Sequence, residues 1–156
     1  MQNDLIIMTF YNEAEAHKVI SSLRDMRKSQ ILGLDQASIV TKDSSGKVWL
    51  HHKYEISLIK QDNTDLILRR FAELIFNTFP AEIVQNLVDV GLDETFIHSI
   101  AQIMREHSSA LLLYIDHDDI EDKDELLKAL SLFWGDIHQT TISDKVESAI
   151  LEVFEK

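Results

Sequence analysis

Two short apolar runs constrain this chain more than anything else in it: DLIIMTF at 4–10 and SSALLLYI at 108–115. Side chains alternate across a strand, so an unbroken apolar run leaves no face for water. Neither run suits a membrane. The longest purely apolar stretch, ALLLYI, has six residues, where a spanning helix needs about 18. Both runs are therefore predicted to be buried strands in a sheet covered by helices. With 156 residues and 45% hydrophobic content, the chain can supply one sizeable core, and residues 1–156 are read as a single domain.

The remaining elements follow from period and punctuation. After the first strand, Ala16, Val19, Ile20 and Leu23 recur at helical spacing, with Asn12 and Glu15 as a start signal and Gly33 as a stop. ASIVTK and KVWLHHKYE flank DSSG, a turn cluster in which Gly46 can take a positive φ, so a hairpin is expected. Residues 66–79 turn helical, with Ile67, Phe71, Leu74 and Ile75 on one stripe and Leu68, Ala72, Phe76 and Phe79 on another. Pro80 breaks or restarts that helix. Two further helices end near Gly91 and His107. After SSALLLYI come a helix with Leu126, Leu127, Leu130, Phe133 and Trp134 on its inner side, a weaker edge strand DIHQTTI, and a last helix capped by Ser143.

This order predicts an α+β fold. The expected core is a ferredoxin-like, split βαβ sheet of about five strands, mixed or antiparallel, covered by helices. Residues 66–106 form a helical insert, and the final strand and helix are additions to the core.

The formal charge of −12 excludes whole classes of partner. Phosphate backbones and anionic membranes would be repelled, and no basic stripe offsets that, so nucleic acid is not an expected partner. The chain has no cysteine, which rules out disulfides, thiolate metal sites and a cysteine nucleophile and fits a reducing cytoplasm. The opening MQNDLIIMTFYNE carries Asp4 and Glu13 where a secretory leader would be basic and then apolar, so no leader is expected.

The densest cluster of potential ligands is DHDDIEDKDE at 116–125, with seven acids and one lysine. An EF-hand loop needs a central glycine, and none lies between Gly91 and Gly135. The cluster is read instead as the acidic start of a helix, favoured by the helix dipole. The seven histidines form no metal or general-base pattern. Glu13/His17 and Glu94/His98 are helix-surface pairs at i, i+4. His51 and His52 are adjacent on a strand and point to opposite faces. His51 shares its face with Trp49, Lys53 and Glu55, and His51, Lys53 and Glu55 are the candidate ligand-binding residues. No phosphate loop, nucleophile elbow or dinucleotide fingerprint is present. No catalytic residue, metal or cofactor is assigned.

DLIIMTF, ASIVTKDSSGKVWLHH, DVGLDETFI and SSALLLYI together resemble the bacterial family known as domain of unknown function 1269, over 4–52 and 89–142. That family is often labelled as membrane proteins because of a glycine-rich apolar segment. This chain departs there: 56–88 is charged and amphipathic, with Arg69, Arg70, Glu73, Glu82 and Asp89, which disfavours lipid. The resemblance implies a fold but no catalytic residues.

The missing catalytic patterns and the two apolar stripes of 66–79 point to a soluble, non-catalytic protein acting by contact with other proteins. Either neighbours bury that helix, or it meets a second subunit in a homodimer. The alternative is a small-ligand sensor or enzyme with a pocket between sheet and helices near His51.

Overall fold

The computed structural model describes residues 2–25, 37–52, 55–58, 67–76 and 80–154. The elements are β1 (Gln2–Phe10), α1 (Glu15–Asp25), β2 (Ser38–Lys42), β3 (Val48–His52), β4 (Glu55–Leu58), α2 (Ile67–Phe76), α3 (Ala81–Asp89), α4 (Glu94–Ile103), β5 (Ser108–Asp116), α5 (Ile120–Leu130), β6 (Asp136–Ser143) and α6 (Asp144–Phe154). Six strands form one sheet in the order β4-β3-β2-β5-β1-β6, and every neighbouring pair is antiparallel.

The fold is α+β, as the element order predicts, and its strand order is compatible with the ferredoxin-like expectation. β1-α1-β2 straddles β5, and β5-α5-β6 straddles β1, so two split βαβ units interleave. Two details differ from the sequence reading. β6 is no addition to the core, because it pairs with β1 along its whole length and completes the second unit. The expected second hairpin strand also divides, into β3 and β4, which pair with each other from Trp49–Leu58 to His52–Glu55. Among the described residues the sheet therefore has six strands.

β1 and β5 lie at the middle of the sheet, and their apolar runs are buried on both faces. On one face Ile6, Met8, Phe10, Leu111, Leu113 and Ile115 pack with Ala16, Val19, Leu23, Leu126 and Leu130 of α1 and α5. On the other, Leu5, Ile7, Ala110, Leu112 and Tyr114 pack with α2, α3, α4 and α6. Helices on both sides are the physical reason these strands show no alternation.

α2 resolves the choice its two stripes left open. Leu68, Phe71, Ala72, Leu74 and Ile75 are all buried, and α2 packs against α4, α6 and the sheet. Even Arg70 and Glu73 are buried, paired at 3.4 Å. Phe79 lies outside the described residues; over Ile67–Phe76 the apolar surplus is absorbed within the chain and gives no support to a homodimer. Among the described residues, no helix is long and apolar enough to cross a membrane.

Local chemistry fixes the turns. Asp43 accepts from the backbone N–H of Ser45 (2.9 Å) and Lys47 (3.0 Å) and from Trp49 Nε1 (2.9 Å). With the bond that the Ser45 hydroxyl donates to Oδ1 (2.7 Å), these hold its carboxyl well below the usual range, the Trp49 and Ser45 side chains contributing most. Gly46 takes φ +83° in the same turn, as the DSSG cluster predicts. Ser143 accepts from Val146 N and caps α6, again as expected.

Candidate functional site

The predicted site around His51 forms only in part. Strand alternation sends His51 toward α1, where its ring meets His17 edge-on at 4.8 Å. Its Nε2 lies 2.9 Å from Thr41 Oγ1. Burial lowers the pKa of both imidazoles, and for His51 the proximity of His17 adds to it. Lys53 falls outside the described residues, as does the side chain of Glu55. His17 was expected to pair with Glu13, but α1 begins only at Glu15, so i, i+4 geometry does not apply. Glu13 reaches His107 Nδ1 instead, at 3.1 Å. Glu94 and His98 do pair on α4, at 3.3 Å.

A second cluster was not legible in the sequence. Asp4, on β1, is completely buried. Its Oδ1 accepts from His117 Nδ1 (2.9 Å) and Thr141 Oγ1 (2.8 Å), and its Oδ2 from Lys123 Nζ (2.9 Å) and Gln139 Nε2 (3.4 Å). Desolvation opposes the charged form, yet the bonds from Lys123, Thr141 and His117 outweigh it, and the Asp4 pKa is lowered. A carboxylate has about four acceptor positions, and here four donors occupy them. The group has no lone pair left for a metal or a substrate, so the cluster is a tie that holds α5 and β6 to β1. One hint was visible: Lys123 is the single base among the seven acids of 116–125.

Asp116 acts locally: its Oδ1 accepts from Asp118 N at 2.9 Å, and the backbone carbonyl of Asp119 accepts from Lys123 N in the first turn of α5. Among the described residues, no group of three or more His, Asp or Glu side chains is arranged to hold a metal ion.

The third feature is apolar. α5 was expected to carry Phe133 and Trp134 on its inner side up to Gly135, but it ends at Leu130. Tight turn bonds close it there, from Leu132 N to Ala129 O and from Phe133 N to Leu130 O. Phe133 tucks against the core. Leu132 and Trp134, one residue to either side, face solvent, at 68% and 94% exposure. Gly135 then presses on β1: a Cβ there would lie 2.7 Å from Thr9 O and 2.8 Å from the Phe10 ring. Tyr11, also exposed, donates its hydroxyl to Asp136 Oδ2 at 2.9 Å, which raises its pKa. Tyr11, Leu132 and Trp134 line one open hollow of about 440 Å³, and Ile137, the second residue of β6, is also exposed. The sequence signal for this patch was the SLFWGD segment, which a helical reading turned inward.

No protein-family model matches the chain, and no curated protein or solved structure matches it.

Proposed function

We propose that this protein is a non-catalytic interaction domain that works by contact with another protein chain. The observation that supports it is the exposed Tyr11–Leu132–Trp134 hollow, with Ile137 exposed on the strand that follows. Burying one large apolar side chain is worth roughly 1.5–3 kcal/mol, and exposed aromatic clusters of this kind are the anchors that protein contacts use. The polar groups favour the same reading: Asp4 is saturated, and Asp116 is tied into the turn before α5. A cytoplasmic, cysteine-free setting belongs to this proposal, as does membership of the domain of unknown function 1269 family, which the four quoted motifs support.

The test is affinity capture with the intact chain and with Trp134→Glu, folding being checked by circular dichroism. The proposal expects a protein partner, either a second copy or another chain, that the variant loses at least tenfold. Identical capture by both proteins contradicts it.

The His17–His51–Thr41 contact supports a second reading, a small-ligand site between α1 and β3. It requires a saturable ligand-induced rise in melting temperature that His51→Ala abolishes.

A further inference from the structure

We infer that the partner is a second copy of this chain, joined edge to edge through β6 to continue the sheet across a two-fold axis. The inference rests on the interaction reading above and adds the identity and geometry of the partner.

Among the described residues the two outer strands of the sheet differ: β4 has four residues, and β6 has eight. Short edges template further pairing poorly, and long ones need guarding by lysine, proline or a bulge. β6, DIHQTTIS, contains neither lysine nor proline. Its ladder with β1 runs without interruption from Gln2–Ser143 to Thr9–Asp136, so it holds no bulge. Among the described residues nothing pairs with its outer edge. Among the described residues the strand thus offers an unpaired row of backbone donors and acceptors, guarded by a single charge, Asp136, at its start, with Ile137 exposed on it and Trp134 just before it.

Symmetry and charge select the occupant. A two-fold axis perpendicular to the sheet pairs residues that share a face, so the partner positions must have an even sum. Centring the axis on Thr140 would set Asp136 against Asp144 of the partner subunit. Centring it on Gln139 sets Asp136 against Ile142 of the partner subunit, Ile137 against Thr141, and His138 against Thr140. No acid then faces an acid within the paired strands. That is a demanding condition for a chain with 27 acidic residues, and β6 meets it because Asp136 is its one charged residue. The helices keep their sides in this arrangement, and both helical layers continue from one copy to the other.

Net charge gives the inference a signature. Two copies at −12 each repel at long range, so salt should strengthen their association by screening. A basic protein partner would show the opposite dependence.

The experiment is light scattering and sedimentation of the purified full chain from 1 to 100 µM in low and high salt (chosen conditions of about 0.05 and 0.5 M, spanning the range over which screening changes). The expected result is a concentration-dependent species of twice 18.0 kDa, favoured at least threefold by the higher salt. Ile137→Lys and Gln139→Lys should each return the protein to monomer. Gln139→Lys also touches the Asp4 cluster, so Ile137→Lys is the cleaner variant. A mass of 18.0 kDa under all conditions overturns the inference, as does a dimer that both variants leave intact. A monomer that still captures another protein through Trp134 overturns the second copy alone and leaves the interaction reading standing.

Discussion

The two ends of β6 solve opposite problems. Toward its C-terminal end, Gln139 and Thr141 reach the buried carboxylate of Asp4, where Lys123 and His117 complete the set. At its N-terminal end, Trp134, Leu132 and Tyr11 stand in solvent, and Ile137 is also exposed. The polar end looks like chemistry and is closed. The apolar end looks like misplaced core and is open. Titratable residues gathered in one place are therefore a poor guide to function here. What matters is whether the cluster has bonding capacity left, and Asp4 has none.

The largest expected effect strikes the closed end. Lys123→Met leaves a buried carboxylate short of its cation and should destabilise the fold by about 3 kcal/mol, because breaking a buried pair costs more than never having one. Chemical denaturation measures it. The pH dependence follows from the lowered Asp4 pKa. Its contribution is fully present above the usual carboxylate range and is lost as pH falls through the depressed folded value. In Asp4→Asn this acid-side slope should shrink. A Lys123→Met protein as stable as the parent would show that the cluster is no tie, and the contrast between the ends would fail.

The open end should respond in reverse. Trp134→Glu changes a side chain that is 94% exposed, so stability should move by less than about 0.5 kcal/mol while partner capture falls. A large loss of stability would place Trp134 in the core and break the comparison from the other side.

The smallest effect concerns His17 and His51. Their lowered pKa values mean that the folded chain takes up protons less readily than the unfolded one. Above the ordinary histidine value of about 6.5 both states are neutral and the fold keeps its full stability. As pH falls below that, the unfolded state gains protons first and stability declines. Melting temperatures between pH 8 and pH 5 should show this slope, and His51→Gln should flatten it. An unchanged slope in His51→Gln would remove the pair from the account.

Much of the scaffold was legible because it depended on local pattern. DLIIMTF and SSALLLYI declared their two covered faces, the weaker DIHQTTI pointed to an edge, and DSSG declared its turn. What failed depended on long-range partners. β6 meets β1 across more than a hundred residues, so its place in the core was invisible. The two stripes of α2 allowed burial by neighbours or by a subunit, and only packing could choose. Asp4 read as an acid interrupting an apolar start, since its four donors lie between 117 and 141. Trp134 was turned inward by extending a helical period four residues past the true end of α5. Of the predicted ligand residues, only His51 can be placed against neighbours, and its companion His17 comes from another element.

Amide hydrogen exchange across β6 tests the central claim most directly, since it reads the proposed contact at its own backbone. At dilute concentration the outward-facing amides between Asp136 and Ser143 should exchange rapidly. At high concentration they should become protected at alternate positions, and Ile137→Lys should abolish that protection. Exchange along β6 that stays fast at every concentration, with protection arising instead on another surface, would contradict the account.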